Sequence, residues 1–272
     1  MTGYLEPAAA GADSASLRLF CFHHAGGGAS GYRTWQRALG PHTAVRPVLL
    51  PGRERRSGES RFDDLEPLLA DLDAQLDEHL TEPFAFFGHS MGALLAYRLA
   101  CRRRDRGATL PAALIVSGCT APHLPSSLPP VEALDHAALI RLLADLGGLP
   151  APILEVPVLL TDALPVIRDD LRVCASHRYD SAPPLPCPIH VFGGAADPLV
   201  DDLELAAWRE HTTAHSEVRI LPGDHFFLFD RPDDLFNYLR PLLRGHAKRA
   251  LIRVRTGEIR VPRYSIPAGP PG

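Results

Sequence analysis

Apolar residues along this chain follow two patterns, short unbroken runs and leucines spaced three or four apart, and the two alternate. The runs at residues 17–22 (LRLFCF), 44–50 (AVRPVLL), 84–87 (FAFF), 112–117 (AALIVS), 189–192 (IHVF) and 218–221 (VRIL) are rich in aromatic and branched residues and most end at a glycine or a turn. This predicts buried strands. Pro47 cannot donate to a ladder, which places the second run near a sheet edge. Helical spacing marks residues 32–39, then 65–80 (LEPLLADLDAQLDEHL), whose acids lie between the leucines, and the stretch after residue 90, where Ala93, Leu94, Tyr97 and Leu99 recur. Strands alternating with helices predict an α/β fold with a mainly parallel sheet covered by helices on both faces. Ligands then bind beyond the carboxyl ends of the strands.

One segment breaks the alternation. Between the runs at 112–117 and 189–192, residues 132–146 and 158–177 read as helices, bordered by the proline-rich stretches 121–130 (APHLPSSLPP) and 182–188 (APPLPCP). An insertion of helices there, at about 121–186, is placed to cover the site as a lid. Residues 1–16 read as a flexible lead-in, 17–245 as one domain with the lid inside it, and 246–272 as an extension. In the extension, 251–254 and 259–261 flank Thr256 and Gly257, so a small hairpin or a loose tail is expected.

Candidate chemistry enters at FFGHSMGALLAY, residues 86–97. Ser90 sits between Gly88 and Gly92 where a strand gives way to a helix, the G-x-S-x-G pattern of a nucleophile elbow. The sharp turn presents the hydroxyl, and the glycines omit Cβ atoms that would collide there. The N–H of Met91 opens the helix unpaired, at its positive end. A short pattern of this kind also arises by accident, and the strand before and helix after are what separate the two readings.

A serine hydroxyl needs a base, and the base a carboxylate to hold its tautomer, in the chain order Ser, acid, His for this type of turn. Asp197, in VFGGAADPLVDD, follows a strand across a Gly193-Gly194 turn and is the candidate acid. Its rivals Asp201 and Asp202 open the next helix, where acids offset the dipole. His225, in RILPGDHFFLF, follows the last strand and is the candidate base; His211 and His215 precede that strand, and His246 lies past the expected last core helix. The glycine-rich loop after the first strand, HHAGGGASG, can turn backbone N–H groups toward a developing negative charge, with Ala25 the candidate donor beside Met91. It lacks the G-x-G-x-x-G spacing of a dinucleotide cradle.

Composition narrows the classes. A net charge of −4 is wrong for a nucleic-acid partner, and no apolar run reaches the roughly 18 residues of a membrane helix. The N-terminus has no basic start followed by an apolar core, so a cytoplasmic protein is expected. The five cysteines, Cys21, Cys101, Cys119, Cys174 and Cys187, are scattered without metal-ligand spacing, and Lys248 is the only lysine. No metal or cofactor is called for. The arginine runs at 53–56 and 102–106 read as solvated loop and helix end.

Together FCFHHAGGGAS, LLPGRERR, FGHSMGALLAYRLA, VSGCTAPHLP, VFGGAADPLV and LPGDHFFLF resemble, in order, the signature segments of type II thioesterases, stand-alone α/β-hydrolases serving polyketide synthases and non-ribosomal peptide synthetases. The resemblance runs from residue 17 to about 243 and departs at His23, where proline is frequent, and at Gly28, where serine is. It implies hydrolysis of stalled or aberrant acyl groups from the phosphopantetheine arm of acyl or peptidyl carrier proteins. Ser90 would be nucleophile, His225 base, Asp197 its orienter, and Met91 and Ala25 the oxyanion donors. Carrier proteins are typically acidic, so Arg53, Arg55, Arg56 or the cluster at 102–106 would steer docking; a monomer is expected. A carboxylesterase acting on free esters would use the same residues, and a non-catalytic binding module on the same scaffold would lack one of them.

Overall fold

The fold was obtained as a computed structural model of the 272-residue chain, describing residues 3–6, 15–81, 83–147 and 157–255. Six strands, β1 (Leu17–Phe22), β2 (Thr43–Val48), β3 (Phe84–His89), β4 (Leu114–Ser117), β5 (Ile189–Gly194) and β6 (Ser216–Leu221), form one sheet in the order β2-β1-β3-β4-β5-β6. Every neighbouring pair is parallel. The chain leaves β1 outward to β2 and returns to β3 on the other side, which makes the carboxyl ends of β1 and β3 the point where the winding reverses. Crevices for ligands form there. Pro47 lies on β2 at the edge, as expected.

Alternate side chains of each strand go to opposite faces, and both faces are apolar. Phe20, Phe22, Phe84, Phe86, Leu114, Val116, Ile189 and Val191 pack under α2 (Leu65–Leu76) and α3 (Met91–Asp105). Leu19, Cys21, Phe87, Ile115 and Phe192 pack against α1 (Trp35–Leu39), the short helix α7 (Phe227–Asp230) and α8 (Pro232–Arg255) on the other side. This is why the strands read as continuous apolar runs. Asp64 caps α2 by accepting the Glu66 N–H at 2.9 Å. Asp201 and Glu204 close a capping box on the short helix α6 (Asp202–Ala206), which accounts for the acids there.

The insertion contains α4 (His136–Asp145) and α5 (Pro157–Ala175). Leu139, Leu143, Leu164 and Ile167 form a satellite apolar cluster between the two, whereas Val173, nearer the end of α5, belongs to the main core. Part of the insertion thus packs on itself and part into the main core, and α5 joins the two.

Three expectations are corrected. The chain does not turn into a strand at 251–254: α8 continues to Arg255, and residues 259–261 lie outside the described residues. His246 is inside α8 rather than beyond it, buried, with its Nε2 3.0 Å from His190 Nε2 on β5. The arginine runs are also not simply solvated. Arg53, Arg56 and Arg103 are buried. Arg103 is sunk between α2 and α3, donating to Asp73 (3.2 Å), Asp77 (2.9 Å) and the carbonyls of Leu80 and Thr109. Arg56 lies 4.3 Å over the Tyr4 ring and is paired with Glu59, and Arg55 is paired with Glu6 at 2.7 Å. A run of like charges hides the fact that helix and loop geometry turns some of its members inward.

Candidate active site

Ser90 stands between β3 and α3 with φ 54° and ψ −121°, one of two non-glycine residues with positive φ among the described residues. Its N–H is tied to the Ser117 carbonyl on β4 at 2.8 Å, which fixes the turn. The flanking glycines are required by contact. A Cβ on Gly88 would lie 2.1 Å from the Gly92 carbonyl oxygen, and one on Gly92 would lie 2.0 Å from the Phe22 carbonyl oxygen on β1. The turn thus lets α3 start against the sheet, and strain of this kind persists only where the surroundings enforce it.

Asp197 follows β5 in a turn held by its own N–H to the Gly194 carbonyl and by the Ala196 N–H to the Gly223 carbonyl. The turn brings it beside the segment carrying His225. The carboxylate is fully buried: Oδ1 accepts the Leu199 N–H at 2.9 Å, and Oδ2 accepts from His225 Nδ1 at 2.8 Å. A carboxylate only accepts, so His225 Nδ1 carries a proton and donates it to Asp197, which turns Nε2 to the other side of the ring. Ser90 and His225 line one cavity of about 580 Å³. His215 stands apart from it. His211 is buried behind its wall, bonded to Tyr97 and to His123, a wall residue.

Rings pack around His225. His89 is 5.0 Å away between centroids, and His24, Phe226 and Phe229 complete the group. Burial holds the His24 imidazole down to about 3 and pushes that of His89 well below its ordinary value. Both are neutral at pH 7, so neither sets a cation beside His225 when it takes a proton. The cavity wall is mostly apolar, with Met91, Leu94, Ala121, Leu124, Leu128 and Val200, and two thiols, Cys119 and Cys174. Burial pushes Cys119 up to about 12 and raises Cys174 as well, so they are thiols and not rival nucleophiles.

The loop after β1 lies across from the start of α3. Two of its N–H groups are committed: that of Gly27 to the His24 carbonyl at 3.0 Å, and that of Gly26 to Asp170 Oδ2 at 2.7 Å. Ala25 lies between these restraints, and Met91 N–H is the first of α3. His23, the departure from the usual proline, donates from Nδ1 to the His24 carbonyl at 2.8 Å and so braces the same peptide. Of the residues expected from the sequence, the structure bonds His225 to Asp197 and sets Ser90, Met91 and His225 on one cavity, while Asp170 and the inward turn of Arg53 were not expected. The quoted PGRERR segment was the one available signal for Arg53; nothing local marks Asp170.

A family model described as Thioesterase domain matches residues 17–243. RedJ, the thioesterase from the prodiginine biosynthetic pathway in Streptomyces coelicolor, superposes with a TM-score of 0.81 at 43% identity, over 89% of this chain and 95% of its own. BorB, the type II thioesterase from the borrelidin biosynthetic cluster, gives a TM-score of 0.78 at 36% identity, over 89% and 96%. A sequence relative, the linear gramicidin dehydrogenase LgrE of Brevibacillus parabrevis, is 37% identical over 235 residues, 85% of this chain and 89% of its own. The word dehydrogenase describes that relative; here the glycine-rich loop lacks the dinucleotide spacing and is backed by Asp170 and Ile167. The chain belongs to the thioesterase family of the α/β-hydrolase fold, in its type II branch.

Proposed function

We propose that this thioesterase clears aberrant or stalled acyl groups from the phosphopantetheine arm of acyl or peptidyl carrier proteins in polyketide or non-ribosomal peptide biosynthesis. The observation that carries the reading is that Ser90, on its strained turn, and His225, held by Asp197, open into one largely apolar cavity. Such a chamber fits an acyl chain, and its low polarity strengthens charge interactions at the reacting carbon.

Ser90 Oγ attacks the thioester carbonyl while His225 Nε2 takes its proton, and the resulting oxyanion is held by the N–H groups of Ala25 and Met91. His225 returns the proton to the departing pantetheine sulfur, leaving an acyl-Ser90 ester. Water, deprotonated by His225, then attacks the ester; the carboxylic acid leaves and Ser90 regains its proton. Protein side chains, backbone N–H groups and water take part in every step.

The test is intact-mass spectrometry of a carrier protein loaded with acetyl, propionyl, hexanoyl or decanoyl groups, incubated with wild type and Ser90→Ala. Loss of the acyl mass with wild type only is the expected result. Retention of the acyl mass while a free ester is cleaved would transfer the protein to the carboxylesterases. Equal loss with Ser90→Ala would remove Ser90 from the chemistry.

A further inference from the structure

The oxyanion loop is held from outside by two residues far away in sequence. Asp170, on α5, is 2% exposed and Arg53, on the loop after β2, is 8% exposed. They pair through two bonds, Nη1 to Oδ2 at 2.6 Å and Nη2 to Oδ1 at 2.8 Å. Asp170 Oδ2 also accepts the Gly26 N–H at 2.7 Å, and Arg53 Nη1 also donates to the Gly27 carbonyl at 3.2 Å. The pair thus grips the backbone on both sides of the two glycines.

The effect reaches Ala25. The peptide that carries its N–H has its carbonyl on His24, and that oxygen accepts from His23 Nδ1 and from the Gly27 N–H. The next peptide is fixed through its own N–H by Asp170. With the planes on both sides clamped, the φ and ψ of Ala25 are set, and with them the direction of the N–H. Gly26, at φ +78°, is pressed against α5, where a Cβ would come 2.5 Å from Ile167 Cγ1. The loop follows the helix.

A bland explanation is that the pair adds stability. Buried ion pairs are poor at that, because the desolvation of two charges offsets much of their attraction, and apolar replacements are often neutral or better. Arg53 Nε donates to the Pro51 carbonyl of its own loop at 3.4 Å, but the pair's other two bonds both go to one glycine-rich loop, which calls for a different reason. We propose that Arg53 and Asp170 are positioning residues that aim the Ala25 N–H at the oxyanion, so that α5 of the insertion is part of the catalytic geometry. This rests on the thioesterase mechanism above.

The full-length protein is assayed with an acyl-pantetheine thioester as wild type, Asp170→Asn, Asp170→Ala, and the apolar double variant Arg53→Met with Asp170→Leu, with rates normalised to the folded fraction from circular dichroism. Expected is a fall in kcat on the order of 10- to 100-fold, less than the full loss of an oxyanion donor, with KM within about twofold. Asp170→Asn, which keeps an acceptor oxygen, falls less than Asp170→Ala. A trifluoromethyl ketone analogue, which forms a tetrahedral adduct on Ser90, weakens in step with kcat, while a thioether analogue lacking the carbonyl binds as to wild type. A structural role alone would not separate the two analogues. Wild-type kcat in the double variant or in Asp170→Ala, or equal weakening of both analogues, overturns the inference and leaves the mechanism standing. No Ser90-dependent turnover by wild type overturns both.

Discussion

Asp197 shows how much a single residue can be constrained by its second bond. Its Oδ1 is taken by the Leu199 N–H and its Oδ2 faces His225. In Asp197→Asn the Leu199 N–H still demands an oxygen, so the amide nitrogen must turn to His225. An N–H₂ there forces Nδ1 to accept, moves the ring proton to Nε2 and removes the base from Ser90. The fold is preserved and kcat should fall by roughly 10³- to 10⁴-fold, as such substitutions do in serine hydrolases; a loss under tenfold at unchanged thermal stability would strike Asp197 from the mechanism. At this scale the sequence was informative where chemistry is local. Ser90, Asp197 and His225 each lie just past a strand with glycine close by in the chain, a pattern visible in a dozen residues. Arg53 and Asp170 are 117 residues apart and meet only because α5 crosses the loop. No window on the chain contains both.

Elements were legible from their apolar runs, and the misreadings have physical causes. β5 runs on through Gly193 and Gly194 because the ladder to β6 continues there, whatever the strand propensity of glycine. α8 was cut short because 251–254 (LIRV) reads as a short apolar run before a Thr-Gly turn, yet His246 and Ala247 are buried and the helix continues through that run. The elbow makes a prediction of its own. A Cβ on Gly92 meets the backbone oxygen of Phe22 at 2.0 Å, and neither β1 nor α3 can withdraw without opening the sheet-to-helix contact. Gly107 has φ +69° but open space around it. Gly107→Ala should therefore cost only about 1–2 kcal/mol, the left-handed penalty. Gly92→Ala should cost at least about 4 kcal/mol, the range that marks a breach of packing. Urea unfolding of both variants checks the ordering, and equal costs would mean the close approach of α3 to β1 can relax.

For the whole molecule, the alternation of elements implied a parallel sheet covered on both faces, but not the strand order, which depends on which way each crossover goes and leaves no mark in composition. The burial of histidines was equally hidden, since only packing decides it. Burial holds His23 down to about 3 and His190, His211 and His246 to about 4. In the unfolded chain such groups titrate near 6.5. Their folded values are lowered, so below pH 6.5 the unfolded chain takes up protons that the native state refuses, and stability is lost as pH falls from about 6.5 towards 4. Each group that remains neutral in the fold removes about 2 kcal/mol between pH 7 and pH 5. The four together would consume about 8 kcal/mol, comparable with the 5–15 kcal/mol of a typical domain. His190 and His246 face each other with Nε2 atoms 3.0 Å apart, so a proton on one opposes a proton on the other and sharpens the fall. Urea titrations at pH 7, 6 and 5 should show this loss, and His246→Gln should reduce its slope by one group's share. A change below about 1 kcal/mol over that interval would mean that the native fold admits these protons, and that the paired histidines open to solvent at little cost.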